Sequence, residues 1–234
     1  MKRPSPETAF TLIELLVVMG IIIIALTALV PAVTSLSKSG GRRAARNALL
    51  GGIEQARAEA IKSSQATYVV FPTFTGGVQS TLDRYNYRSY AIFEDDAARP
   101  GNVKQLTDWK SFPTGVALRA AAYVINGVNV GALSTYLQDP GWNPQPPFTP
   151  DLSTAPVLRC IKFNSNGEVQ APITPASTVY LGIFEGYVST GSEVATTKDG
   201  SGNPSAVEYV MVSQFTGRAE PADAVSTPTP TPGP

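Results

Sequence analysis

The stretch ARNALLGGIEQARAEA, which runs from Ala45 to Ala60, decides how this chain folds. Small and aliphatic residues recur in it at steps of 4, 4, 3 and 4, at Ala45, Leu49, Ile53, Ala56 and Ala60. This spacing places them on one face of an α-helix, the alanine-rich stripe. Because alanine is small, whatever packs on the stripe comes close to the helix backbone. The stretch therefore predicts an amphipathic helix that lies on another element and ends near Ser63 and Ser64.

Charged residues fall mostly outside the stripe: Arg42, Arg43, Arg46, Glu54, Arg57, Glu59 and Lys62. We interpret the arginines as part of a solvated helix face, with contact to another subunit or to lipid headgroups as the alternative. The pairs Gly40-Gly41 and Gly51-Gly52 weaken the helix, because glycine has a low helix propensity.

A long apolar segment, LLVVMGIIIIALTALVPAV, precedes the stripe at Leu15–Val33. Its 19 residues carry no charge, and at about 1.5 Å per residue they nearly span the ~30 Å hydrocarbon core of a membrane. Together with the stripe, it predicts a helix from Phe10 to about Lys62, roughly 80 Å long. Glu14 directly precedes the segment, and Pro31 lies inside it, where helices disfavour proline.

Two other interpretations of the segment stay open at this point. A secretory signal cut near Ala32 would have a shorter apolar run, of about 7–15 residues, without a carboxylate at its junction. A plain single-pass anchor explains the length but not Glu14, since a carboxylate beside hydrocarbon is costly and tends to mark function.

The chain beyond the helix is predicted to be rich in β-strands. Runs of β-branched and aromatic residues lie at Thr67–Phe71, Tyr85–Phe93, Tyr123–Val130, Val157–Phe163, Thr178–Phe184 and Val207–Phe215. Tyr85, Tyr87 and Phe93 share one parity and are expected on one face. Strands do not alternate with helices, so we expect an antiparallel sheet that buries its inner face on the stripe. The predicted fold class is α+β.

Proline-rich stretches mark the remaining loops. Residues 137–156 form a proline-rich surface loop, and we favour Trp142 folded back over the core, with an exposed contact site as the alternative. Residues 221–234 end in STPTPTPGP and are predicted to be a disordered Pro/Thr tail.

Composition argues against several kinds of chemistry. The chain has 18 basic and 18 acidic residues and no histidine, so it lacks the commonest general base and metal ligand and any strong field for nucleic acid. Its one cysteine, Cys160, is interpreted as a buried apolar residue. Asp199, Ser201 and Asn203 have the spacing of a calcium loop, but a simple turn is favoured because only one is a carboxylate. We predict a protein that is not an enzyme, uses no cofactor or metal and does not bind nucleic acid.

The segment AFTLIELLVVMGIIIIAL, Ala9–Leu26, resembles the N-terminus of type IV prepilins and type II secretion pseudopilins. The helix-to-strand stretch QARAEAIKSSQATYVVF, Gln55–Phe71, resembles the H-type (FimT-like) group. FNSNGEV at Phe163–Val169 and a closing strand that ends in Thr216-Gly217-Arg218 are similar to the C-terminal hairpins of that group. Residues from about 95 to 155 have no counterpart in the resemblance.

The resemblance implies a cut between Ala9 and Phe10 and methylation of the new N-terminus at Phe10. Ala9 stands where the family usually has glycine. Glu14 is then the fifth mature residue and is implied to pair with the N-terminal amine of a neighbouring subunit during assembly. Pro31 becomes the twenty-second residue, where family members often carry a helix-kinking proline.

The resemblance further implies a minor pilin or pseudopilin, a structural subunit of a type IV pilus-like or type II secretion filament. Its partners would be other pilin subunits, a prepilin peptidase and the inner-membrane assembly platform. It would cross the inner membrane once, with its globular domain outside the cytoplasm, before it enters a filament. A major pilin, or a Sec-secreted or membrane-anchored binding protein, is the alternative.

The expected organisation has five parts. They are a cleaved leader at 1–9, a transmembrane and polymerisation helix at 10–35, an amphipathic helix half at 36–64, a β-rich pilin domain at 65–220 and the tail at 221–234.

Overall fold

The computed structural model describes residues 12–73, 85–125, 128–130, 132–142, 158–170, 178–189 and 191–222. Within these ranges the side chains of residues 26–39, 123–125, 128–129 and 134–135 lie outside the description. The chain divides between Gly40 and Gly41 into two compact units, here called the first and the second unit.

The elements follow in the order α1 Leu12–Ser63, β1 Thr67–Pro72, β2 Ser89–Asp95, β3 Val103–Gln105, β4 Lys110–Ser111, β5 Val116–Leu118, β6 Tyr123–Ile125, β7 Val128–Val130, α2 Leu133–Tyr136, β8 Leu158–Phe163, β9 Thr178–Ser189, β10 Ser192–Ala195, β11 Val207–Ser213 and β12 Ala219–Ala222.

Helix α1 ends where the sequence predicts. Ser64 has a φ of 57°, which is outside the helical region. The Ser63 hydroxyl donates to the Glu59 carbonyl oxygen at 2.9 Å and accepts from the Gln65 N–H at 3.2 Å. Lys62, in the last turn, lies near the negative end of the helix dipole. A left-handed residue and local side-chain bonds thus stop the helix before β1.

The strands of the second unit form two five-stranded sheets and a hairpin. The first sheet has the order β3-β2-β1-β8, with β4 also paired to β2. The second has the order β10-β9-β11-β12, with β5 also paired to β9, and β6 pairs with β7. Every strand pair in the described part of the chain is antiparallel. The predicted α+β class with antiparallel strands is therefore confirmed.

Both faces of the first sheet are covered by other residues. Successive residues of β1 point to opposite sides of the sheet, so this strand contributes to both covers. Val69 and Phe71 belong to an inner core that also contains the alanine-rich stripe and residues of the second sheet. The opposite face carries an outer cluster of buried residues: Tyr68, Val70, Ala91, Phe93, Leu158 and Cys160. Val103, Trp109 and Trp142 pack against that cluster. The stretch from 95 to 155, which had no counterpart in the resemblance, thus supplies three residues to the cover of this face.

The prediction that Tyr85–Phe93 forms one strand is wrong in its first half. Residues 85–88 form a turn, and β2 begins only at Ser89. Tyr87 has a φ of 55° and donates its N–H to the Pro72 carbonyl oxygen at 2.9 Å. This left-handed residue breaks the alternation of a strand. Tyr87 consequently joins the inner core, whereas Tyr85 and Phe93 lie with the outer cluster.

The other predicted strands are found with shifted ends. The run at Thr178 continues to Ser189, and the run at Val207 stops at Ser213, which leaves Phe215 in a turn. Tyr123–Val130 forms the two strands of a hairpin, and Asn126-Gly127 between them lie outside the described residues. The strands β3, β4, β5, β10 and β12 were not predicted, because two to four residues give too little pattern.

Candidate assembly site

The first unit exposes an apolar helical surface. The large hydrophobic residues from Leu12 to Ile24 are each at least 45% exposed: Leu12, Ile13, Leu15, Leu16, Val17, Val18, Met19, Ile21, Ile22, Ile23 and Ile24. Since these positions follow one another at 3.6 residues per turn, they cover every side of the helix. A helix that is apolar all round is normally buried in a protein interior or a membrane.

Glu14 lies on this surface, in the first turn of α1 between Ile13 and Leu15. A carboxylate in the first turn is favoured by the positive end of the helix dipole. Pro31 lies within the backbone range of α1, and its side chain is outside the description. Ala9 and Phe10 lie outside the described residues. The cut, the methylation, the pairing of Glu14 and the kink at Pro31 therefore stay predictions.

None of the helices in the described part of the chain combines the length and the hydropathy that a membrane span requires.

In the second unit, α1 is buried along the alanine-rich stripe. All five stripe residues are completely inaccessible to solvent. Gly52 lies under the Tyr90 ring so closely that a Cβ there would overlap the ring. The Tyr90 hydroxyl donates to the Ala48 carbonyl oxygen at 2.7 Å. The predicted close packing of the first sheet on this part of the helix is confirmed.

The arginines that precede the stripe pair with the second sheet. Arg42 Nη1 lies 3.1 Å from Glu185 Oε2 on β9, and Arg46 Nη1 lies 2.7 Å from Glu208 Oε2 on β11. Both arginine side chains are less than 20% exposed. Arg43 is 69% exposed, and its Nε is 3.9 Å from Glu208. The interpretation as a solvated face is therefore wrong for Arg42 and Arg46, because their acidic partners lie far away in sequence.

The end of α1 is tied to the hairpin between β11 and β12. Arg57 Nε donates to the Thr216 carbonyl oxygen at 2.7 Å. Glu54 Oε1 accepts from the Ala219 N–H at 2.8 Å. The two helix residues thus satisfy backbone groups at both sides of the hairpin turn, and their neighbours in sequence gave no sign of this.

Two glycines of the predicted hairpins meet beside this tie. Gly167 has a φ of 83°, and a Cβ there would lie 2.7 Å from Ile61 Cδ1 on α1. Gly217 has a φ of 63°, and a Cβ there would overlap the Gly167 carbonyl oxygen. Both positions thus favour glycine for conformation, and Gly217 also requires it for space. The motifs that carry the C-terminal resemblance form one contact against the helix.

A buried ion pair that the sequence did not indicate joins β10 to the segment that follows β5. Arg119 Nη2 lies 3.1 Å from Glu193 Oε2, and the two side chains are 5% and 9% exposed. Glu193 Oε1 also accepts from the N–H groups of Ala120 and Ala121 at 2.7 and 2.9 Å. The buried carboxylate is stabilised because the guanidinium and two amides bind it.

The remaining candidate residues have structural surroundings. Asp199 Oδ1 accepts from the N–H groups of Ser201 and Asn203, both at 2.9 Å, so the favoured interpretation as a turn is confirmed. Among the described residues, no three His, Cys, Asp or Glu side chains are placed to hold a metal ion. Cys160 is buried as predicted, and burial raises the pKa of its thiol to about 12. Trp142 packs on Tyr68 with ring centroids 5.0 Å apart, so this residue is folded back as predicted, whereas residues 143–156 of the loop lie outside the described residues.

Comparison with known proteins assigns the chain to a class. The sequence profile of the family described as "Type II transport protein GspH" matches residues 45–202. No curated protein sequence gives a significant match. A solved structure of the minor pseudopilin EpsH from the type 2 secretion system of Vibrio cholerae shares 13% identity at a TM-score of 0.40 and covers 80% of this chain and 99% of its own. A crystal structure of the same pseudopilin gives 13%, 0.37, 77% and 94%.

The profile spans more than half of the chain, so the class is that of the type II secretion pseudopilins. Within that class, the chain belongs to the GspH family. The resemblance to the H-type pseudopilins is therefore confirmed. The family is one of structural subunits, and the matched residues include the stripe, the first sheet, the β5, β9 and β10 strands of the second sheet and the stretch that had no counterpart.

Proposed function

We propose that this chain is a minor pseudopilin, a structural subunit of the type II secretion pseudopilus that acts by assembly and not by catalysis. The apolar helical surface from Leu12 to Ile24 supports this function most directly. So large an apolar surface requires a cover of lipid before assembly and of other apolar helices afterwards. A filament whose core is a bundle of such helices provides the second cover.

The precursor would be inserted in the inner membrane through the segment Leu15–Val33, with the second unit outside the cytoplasm. A prepilin peptidase would remove residues 1–9, and Phe10 would become the methylated N-terminus. The sequence AFTLIE at the boundary supports this step. The inner-membrane assembly platform and the other pseudopilins would be its partners.

Glu14 would set the position of the subunit in the filament. A carboxylate in an apolar helix bundle is costly unless a positive charge lies beside it. The N-terminal amine of Phe10 in a neighbouring subunit would supply that charge. Phe10 and Glu14 lie about one helical turn apart along each mature chain. Pairing of the two groups would define the axial step between subunits, and Pro31 would kink the helix to fit the bundle.

The contacts of α1 in the second unit support a role as a rigid subunit. Ion pairs from Arg42 and Arg46 and the hydrogen bonds of Glu54 and Arg57 fix residues 41–63 on the second sheet. This helical segment is therefore joined to the second sheet through four of its side chains. A subunit of this kind can carry an axial displacement of its helix without unfolding.

The decisive experiment is mass spectrometry of the N-terminus of the chain expressed with a prepilin peptidase and, as control, without it. We expect a mature chain that begins with methylated Phe10 in the first case and an uncut precursor in the second. A mature N-terminus at any other residue, such as one near Ala32, would overturn the proposal. The abundance of the chain in purified filaments then separates a minor subunit from a major one.

A further inference from the structure

A cavity of about 510 Å³ opens beside the outer cluster of the first sheet. Its wall includes the side chains of Gln65, Tyr68, Asp95, Asp96 and Trp142. The cavity lies within the second unit, away from the alanine-rich stripe. None of its wall residues belongs to the stripe or to the apolar helical surface from Leu12 to Ile24. We call it the Trp142 cavity.

Two aromatic rings form its apolar wall. Trp142 meets Tyr68 edge to face, at 77° and with ring centroids 5.0 Å apart, and lies 5.2 Å from Phe93 beneath. This stack fixes the indole, because rings that interlock at such distances stabilise one another. The cavity therefore has a preformed aromatic surface.

One carboxylate in the wall is held in place with a single described hydrogen bond. Asp95 Oδ1 accepts from the Tyr68 hydroxyl at 2.9 Å. Burial and the nearby Asp95 raise the pKa of Tyr68, so the phenol keeps its proton and remains the donor. Asp96 differs, because its oxygens already accept from the Ala98 N–H and from Arg99 Nε. Asp95 is thus the carboxylate that retains capacity for a ligand.

The indole N–H of Trp142 is not part of the open surface of the cavity. Trp142 Nε1 is shielded from solvent and makes no hydrogen bond among the described residues. A ligand in the cavity therefore meets the indole ring and not its N–H.

We propose that the Trp142 cavity binds a lysine or arginine side chain from an extended segment of a partner polypeptide. The cationic group pairs with Asp95, and the aliphatic stem lies along the ring of Trp142. Each of the two ligand parts matches one wall feature, since cations favour carboxylates and aromatic faces and apolar stems favour aromatic surface.

The chain itself does not supply a cation to Asp95 within the described part of the structure. Lys162 Nζ lies 5.3 Å from the centroid of the Tyr68 ring. Lys162 approaches from β8 and is not part of the cavity wall. Residues 143–157, which follow Trp142, contain no lysine or arginine, so the adjacent chain cannot supply the ligand. The inference does not depend on the proposed function in the pseudopilus.

The test is a titration of the full chain in detergent micelles, ¹⁵N-labelled at tryptophan, with the peptide N-acetyl-Gly-Lys-Gly-amide. The chain has two tryptophans, and the Trp142→Phe variant assigns their indole signals. We expect a saturable shift of the Trp142 signal and little change at Trp109, which is not part of the cavity wall. The same peptide with norleucine in place of lysine keeps the stem and removes the charge, and should shift neither signal.

Two charge variants test the role of Asp95. Asp95→Asn retains an acceptor for the Tyr68 hydroxyl and is expected to weaken binding of the lysine peptide about tenfold. Asp108→Asn removes an exposed carboxylate outside the cavity wall and should leave binding unchanged. The proposal is overturned if the wild-type chain gives no saturable shift, if norleucine binds as well as lysine, or if Asp95→Asn binds like the wild type.

Discussion

Two stretches of α1 have the same backbone conformation and opposite surfaces. From Leu12 to Ile24 the helix is apolar on every side and exposed. From Ala45 to Ala60 only the alanine-rich stripe is apolar, and it is completely buried. In the second stretch, tertiary contacts inside the chain satisfy the helix, whereas the first presents a surface suited to other molecules.

The difference follows from the number of apolar faces on each stretch. One packed layer can cover one helix face, and the inner core formed with both sheets covers the stripe. No single packed element covers a helix that is apolar all round. The comparison therefore separates residues that stabilise the fold from residues available for assembly, and the predictions below test that separation.

The largest expected effect is that of Glu14→Leu on assembly. The variant should insert in the membrane normally, because the change only adds apolar surface, but it should be lost from purified filaments. Quantitative immunoblotting of membrane and filament fractions measures both steps. Glu220→Leu, at an exposed site on β12, is the matched control and should be incorporated normally. Incorporation of Glu14→Leu at the wild-type level would remove the pairing role.

Next in size is the loss of an aliphatic side chain from the stripe. Ile53→Ala should reduce the free energy of unfolding of the second unit by about 2–5 kcal/mol. Ile53 is fully buried, so loss of its side chain leaves a cavity in the core. The same change at Ile23, which is 61% exposed, should alter it by less than about 0.5 kcal/mol. Urea unfolding in detergent measures both, and equal losses would contradict the comparison.

Alanine substitutions at the adjacent residues Gly51 and Gly52 should change the stability of the second unit in opposite directions. Gly52→Ala should destabilise the second unit by about 1–3 kcal/mol, because its Cβ would overlap the Tyr90 ring. Gly51→Ala meets no atom within 4 Å and should stabilise it by about 0.5–1 kcal/mol through better helix propensity. Thermal unfolding of the two variants side by side decides this, and two shifts of the same sign would refute it.

The smallest effect concerns the ion pair of Arg46. Glu208→Gln should cost about 1 kcal/mol, since the pair is partly solvated and the neutral amide still accepts a hydrogen bond. Part of this cost should disappear in concentrated salt, which screens exposed charges. Glu220→Gln serves as the control without a described partner of opposite charge. Denaturant unfolding at low and high salt provides the measurement, and a loss as large as that of Ile53→Ala would contradict the expected ranking.

Much of the fold could be predicted from local pattern. The stripe, the helix end at Ser63 and strands β1 and β8 follow from periodicity and from residue types that act over a few positions. The family resemblance followed from the N-terminal motif and from two glycine turns. In each case the physical cause lies in neighbouring residues, so the sequence displays it directly.

Other features depend on residues that meet only after folding. Arg42 and Arg46 were misinterpreted because Glu185 and Glu208 lie more than 140 positions away. Tyr87 was placed on the wrong face because its left-handed backbone depends on a bond to Pro72. The Trp142 cavity joins the ends of β1 and β2 to a distant loop, and no local pattern marks it.

The sequence by itself determined the helix, its buried stripe, the β-rich body and the apolar segment with Glu14, because hydrophobic periodicity is a local property. Only the tertiary structure decided which arginines are paired, that the first sheet is covered on both faces, and which carboxylate retains capacity beside an aromatic wall. These depend on long-range pairing, where two groups that are ordinary in sequence acquire a role through their distance and their shared burial.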